Sequence, residues 1–156
     1  MTPEAIVEGL FITKRAGGQM VSQPEVVAVA GCGLEGDRYL HNRGTFSHWP
    51  GRGRNATLIE AEVLASLSAS YAISAAQARR NILTSGIRLN NLVGQYFQLG
   101  EVVLYGARLC EPCRHLEKLT RPCVGAALVG RGGLRADIIE GGVIHIGAVI
   151  AGISLQ

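Results

Sequence analysis

At 156 residues, 47% of them hydrophobic and 17% charged, the chain has the size and apolar content of one globular domain with an ordinary core, spanning residues 1–156. The formal charge of +3, from 15 Lys and Arg against 12 Asp and Glu, is too small and too scattered to mark a polyanion-binding surface, so nucleic acid is not an expected partner. No uncharged apolar run reaches membrane-spanning length and the first residues lack a basic stretch followed by an apolar one, so the chain reads as soluble and cytoplasmic, with no membrane partner.

The 21 glycines, roughly double the usual ~7%, fall mostly between short runs rich in Val, Ile and Leu. Many tight turns joining many short strands predict a mainly β chain, a barrel or sandwich with a few short helices. In chain order, residues 5–13 have strand character. Residues 24–30 supply a second apolar run that ends in Gly31-Cys32-Gly33-Leu34-Glu35-Gly36-Asp37, a sharply bent loop. Residues 39–55 are polar and glycine-rich, with His41, His48 and Trp49, and form the longest predicted irregular segment. A strand over 56–59 runs into a helix with Glu60 and Glu62 in its first turn, ending near Ser70. A second helix is predicted from a Ser74 cap through Arg80, delivering Arg79 and Asn81 to its carboxyl end. The remainder reads as strands at 87–93, 96–99, 101–110, 134–139 and 143–153, which with the earlier three makes about eight.

The four cysteines include the pair in Cys110-Glu111-Pro112-Cys113, and in a reducing compartment such a pair points to metal binding or reactivity rather than a disulfide framework. At period two, the strand over 101–110 puts Val102, Leu104, Gly106, Arg108 and Cys110 on one face. Pro112 ends the ladder, and Leu116 and Leu119 at helical spacing place Cys113 in the first turn of a helix. There, unpaired N–H groups and the helix dipole, helped by Arg114 or His115, favour a thiolate. Cys123, after Pro122, could resolve it. Three readings stand beside a reactive Cys113: a zinc-stabilised binding module using Cys110, Cys113, Cys123 and a histidine, a thioredoxin-like dithiol, and plain buried thiols, the last applying best to Cys32 and Cys110.

Only Lys14 and Lys118 are lysines, the other basic residues being arginines, whose forked donors suit phosphate or carboxylate. Three segments put arginine beside glycine or at an element end: residues 33–39 with Arg38, Arg79-Arg80-Asn81, and Arg131-Gly132-Gly133-Leu134. Each suits a small oxyanion. Each also has a plain structural reading, a turn in which Asp37 and Arg38 cap backbone groups and a solvated helix end at Arg79. His145, between Ile144 and Ile146, is expected to face solvent.

Taken in order, residues 33–39, Thr57-Leu58-Ile59-Glu60, Arg79-Arg80-Asn81-Ile82, Leu92-Val93-Gly94, Cys110-Glu111-Pro112-Cys113 with Leu116, and Arg131-Gly132-Gly133-Leu134 before 141–150 resemble the MOSC domain, the carboxyl-terminal domain of molybdenum cofactor sulfurases and its stand-alone bacterial relatives. The resemblance implies a MOSC-like β-barrel that binds molybdopterin-type molybdenum cofactor. It puts the metal-ligating or sulfur-carrying cysteine on Cys113 and the cofactor-holding Arg-x-Asn element on Arg79 and Asn81, with Arg38 and Arg131 matching by motif. It further implies a molybdenum-dependent reductase component for N-hydroxylated compounds, served by a separate flavin or iron–sulfur electron donor. The alternative is a sulfur carrier or sulfurtransferase that takes a persulfide on Cys113 from a sulfur donor. Pyridoxal phosphate would enter only through a partner, since the desulfurase domain of the fused sulfurases is missing from these residues.

Overall fold

The computed structural model describes residues 4–15, 17–38, 53, 55–67, 76, 78–110 and 132–153. They form eleven strands: β1 (Ile6–Ile12), β2 (Val21–Gln23), β3 (Glu25–Val29), β4 (Gly33–Leu34), β5 (Ala56–Glu60), β6 (Ile82–Ser85), β7 (Tyr96–Leu99), β8 (Val102–Leu109), β9 (Leu134–Glu140), β10 (Gly142–His145) and β11 (Ile150–Ile153). One α-helix, α1 (Ala61–Leu67), follows β5, and a turn of 3-10 helix covers Leu89–Leu92. No helix among the described residues is long and apolar enough to cross a membrane.

The predicted strand at 87–93 is instead this 3-10 turn. Leu89 and Leu92, three apart, are both buried while Asn91 between them is exposed, a period of three that a strand cannot satisfy. The apolar run at 143–153 divides into β10 and β11 at Gly147, whose φ of 91° lets the chain turn. The helix predicted from Ser74 is absent at its described end: Ala76, Ala78 and Arg79 lie in a turn, Arg79 has φ 59°, and Asn81 leads into β6. Alanine and arginine favour helix by propensity, but buried contacts at Arg79, Arg80 and Asn81 decide the backbone.

Eight strands make one sheet in the order β11-β7-β8-β9-β5-β6-β1-β2, and β10-β3-β4 make a second. Among the described residues all ladders are antiparallel except β5 with β6, between which α1 lies in the chain. The expected closed barrel is not what the described residues form, since both sheets are open. An isolated bridge between Ile6 and Val149, with Val7 N–H on the Ala148 carbonyl and Ile150 N–H on that of Ala5, draws the β11 end toward β1. The rest of that edge of β1 is occupied by β2, from Leu10↔Gln23 to Ile12↔Val21, so no continuous ladder joins the two ends.

The core lies on one face of the large sheet and is capped by the small one: Val7, Leu10, Leu58, Ile82, Phe97, Leu104 and Leu134 meet Val26, Leu34 and Ile144. Burying side chains of this size contributes roughly 1.5–3 kcal/mol each. On β8 the alternation holds through Val102, Leu104 and Gly106, then a bulge at Ala107 shifts the register against β9 and turns Arg108 outward, away from the face that period two assigns it. Gly106 has to be glycine because a Cβ there would overlap the Leu92 carbonyl. His145 is exposed as expected and lies 3.2 Å from Glu25, its cross-strand partner.

Glu60, at the end of β5, accepts the Leu89 N–H at 3.3 Å. Desolvation raises its pKa above the ordinary 4.5 and Glu62 adds to the rise, while the Leu89 N–H and Arg88 oppose it. Between 4.5 and that raised value the folded chain holds more protons than the unfolded one, so Glu60 makes stability fall as pH rises through the window. Glu60→Gln is therefore expected to flatten the stability profile over that range, as read by urea unfolding at stepped pH. An unchanged slope would rule this out.

Candidate functional site

Asn81 joins three strands at one end of the large sheet. Its Oδ1 accepts the Thr57 N–H at 3.1 Å and the Thr57 hydroxyl at 3.2 Å, and its own N–H donates to Thr57 Oγ1 at 3.1 Å. Its Nδ2 donates to the Phe11 carbonyl at 3.1 Å, and Phe11 N–H returns a bond of 2.7 Å to the Asn81 carbonyl. An amide can do this because it carries donor and acceptor on one short side chain. Beside it, Arg80 donates from Nε to the Gly132 carbonyl at 2.9 Å and from Nη1 to that of Ala78 at 3.2 Å.

Arg38 and Arg79 both reach the turn that follows β1. Asp37, fully buried, accepts the Thr13 N–H at 3.0 Å and pairs with Arg38 Nη1 at 3.3 Å. The same Nη1 lies 3.6 Å from the Met20 sulfur. Arg79 Nη1 donates to the Gly18 carbonyl at 2.5 Å. The expected capping role of Asp37 reaches Thr13, 24 residues away.

The turn that these contacts hold lines an open cleft of about 530 Å³. Ile12, Thr13, Lys14 and Arg15 line it from the end of β1, Gly18 and Gln19 from the turn, Val21 and Gln23 from β2, and Gly36 from the loop before Asp37. Among the described residues the lining carries two cations and no carboxylate, on a floor that is largely apolar. That volume falls in the range of small-molecule sites, roughly 300–1,000 Å³.

Of the residues singled out in the sequence, Arg38, Arg79 and Asn81 are described and all three are buried; Arg38 and Arg79 reach the turn that lines the cleft, through Met20 and Gly18, and none of the three lines the cleft itself. Cys113 and Arg131 lie outside the described residues, as does Cys123. The neighbours of their segment are described: Cys110 is a buried free thiol whose N–H donates to the Gly133 carbonyl at 2.7 Å, and Gly132 is held by Arg80. Cys32 is a free thiol in an exposed turn, not a buried one. Among the described residues no three His, Cys, Asp or Glu gather as a metal site. Lys14 and Arg15 were not among the sequence candidates. The signal was present, two cations at a strand end followed by Gly17-Gly18, but their opposition to Gly36 and β2 arises only when the hairpin returns.

The family profile of the MOSC domain matches residues 46–151. The chain belongs to the MOSC domain family. Solved structures with the same MOSC fold include the YuaD protein from Bacillus subtilis, with a TM-score of 0.78 at 16% identity over 99% of this chain and 98% of that one. YiiM from Geobacillus stearothermophilus gives 0.74 at 15% identity over 96% and 75% of the two chains, and YiiM from Escherichia coli 0.68 at 19% over 97% and 71%. At these identities the likeness is one of fold. No curated protein matches the sequence significantly.

Proposed function

We propose that this MOSC domain binds molybdopterin-type molybdenum cofactor, with Cys113 as the metal ligand, and acts as the molybdenum-bearing component of a reductase of N-hydroxylated compounds. The observation that carries the reading is the cleft: an apolar floor rimmed by Lys14 and Arg15, with no carboxylate among the described lining residues, and walled by segments that Arg38 and Arg79 hold. An organic ring system bearing a phosphate needs this combination, apolar surface for the ring and cationic donors for the oxyanion.

Each residue has a part in this reading. Lys14 and Arg15 supply donors to the phosphate, and Arg131 adds to them. Arg38 and Arg79 shape the walls and extend the positive field, while Asn81 keeps β1, β5 and β6 in register so that both arginines stay in place. Cys110 is anchored at the end of the sheet that carries Gly133 and Arg80, and Cys113 follows it by three residues, a reach of about 11 Å at most. That supports Cys113 meeting a metal at this end. When bound, the cofactor supplies a two-electron redox centre, and a separate flavin or iron–sulfur protein would deliver the electrons. The work of the chain is to bind it, orient it and present the thiolate, a suitable donor for a thiophilic metal.

Protein purified from a host that makes the cofactor should carry about one molybdenum per chain, as expected of a thiolate-ligated site. Cys113→Ser should reduce that to background, and the double substitution Lys14→Ala, Arg15→Ala should lower it severalfold with the fold intact by circular dichroism. Molybdenum-free protein that instead carries cyanide-labile sulfur on Cys113 would replace this reading with sulfur transfer.

A further inference from the structure

We infer that Arg79 is a positioning residue that sets the shape of the cleft by tethering the turn after β1. Among the described residues it is the only non-glycine residue with positive φ, at 59°. A Cβ crowds the backbone in that region, so a residue other than glycine persists there when its side chain is needed. The need is visible in the Nη1 contact with the Gly18 carbonyl, which spans 61 residues of sequence and is buried.

Gly18 is where a tether has most effect. Its N–H closes the turn on the Arg15 carbonyl at 3.0 Å, and it lines the cleft. A Cβ at Gly18 would come within 2.5 Å of Thr13 Oγ1 and 3.0 Å of the Arg15 carbonyl, so the turn is already tightly packed on its inner side. Gly17, with φ 76° and nothing within 4 Å of its would-be Cβ, is open on the outer side. The turn is thus held at three points: Thr13 by Asp37, Met20 by Arg38, and Gly18 by Arg79. Lys14 and Arg15, both exposed, lie between the first point and the third. Arg79 therefore acts on a ligand through the placement of these two cations. Only the identity of that ligand rests on the cofactor reading.

Trypsin tests this directly, because Lys14 and Arg15 are themselves cleavage sites within the tethered turn. Initial cleavage rates after Lys14 and Arg15 would be measured by mass spectrometry on the full chain and referenced to cleavage after Arg88 and Arg108. Arg79→Ala and Arg79→Gly are expected to raise cleavage in the turn roughly tenfold, by raising the population of the opened turn, with the reference sites unchanged. Glycine also relieves the left-handed backbone, so Arg79→Gly keeps the effect readable if alanine destabilises the fold. Arg79→Lys, whose ammonium can still donate to the Gly18 carbonyl, should restore most of the protection. Wild-type rates in the alanine and glycine variants, equal acceleration at all four sites, or no rescue by lysine would each overturn the inference. No cofactor enters the measurement, so its failure is separate from failure of the metal analysis.

Discussion

Asn81→Leu is expected to lower the unfolding free energy by about 3–5 kcal/mol, because buried groups stripped of a partner cost about 1–3 kcal/mol each. The substitution keeps the number of side-chain heavy atoms but replaces a planar amide by a bulkier branch, so strain in packing adds to the lost hydrogen bonds. Thr57 N–H and the Phe11 carbonyl lose their partners, and the Thr57 hydroxyl loses its acceptor, at a residue that is fully buried. Asn81→Asp makes a sharper comparison, since it keeps the acceptor for Thr57 but sets a carboxylate oxygen against the Phe11 carbonyl. Thr57→Val should couple to both, as partners in one network do. Urea unfolding with an unchanged m-value would measure each. A loss below about 1 kcal/mol in Asn81→Leu, the worth of one ordinary exposed contact, would remove Asn81 from its role as the junction of β1, β5 and β6.

Asp37→Ala should cost a similar amount, about 3–5 kcal/mol, since removing one member of a buried ion pair is strongly destabilising. The guanidinium of Arg38, only 5% exposed, would face the Met20 sulfur without the carboxylate 3.3 Å away, and Thr13 N–H would lose its acceptor. Asp37→Asn should be milder, because an amide oxygen can still accept from Thr13. The pair is shielded from solvent, so the loss in Asp37→Ala should persist in high salt, where a surface pair would be screened. Both residues bear on the turn after β1, so on the proposed cofactor reading Asp37→Ala should lower molybdenum loading in step with stability. Full stability at raised salt would indicate that the pair is solvated in solution.

The strands with clean apolar runs were legible from residue order: 96–99 and 134–139 sit almost where β7 and β9 do, and 56–59 runs into a helix as expected. β6 was not, because Ile82–Ser85 is four residues following a stretch of strong helix formers. Arg38, Arg79 and Asn81 were legible as polar residues at element ends, but their partners were not. The contacts between Asn81 and Phe11 and between Arg79 and Gly18 join residues 70 and 61 positions apart. No local pattern encodes such pairings, which exist because β6 lies between β5 and β1 in the sheet.

What the sequence determined by itself was the mainly β character and the family, because strand periodicity, glycine punctuation and ordered motifs are local properties. Only the tertiary structure decided that the sheets stay open where β2 takes the free edge of β1, that Arg79 adopts a left-handed backbone, and that Lys14 and Arg15 rim a cleft. Each of these follows from which strands become neighbours, and burial of the core face settles that for the chain as a whole.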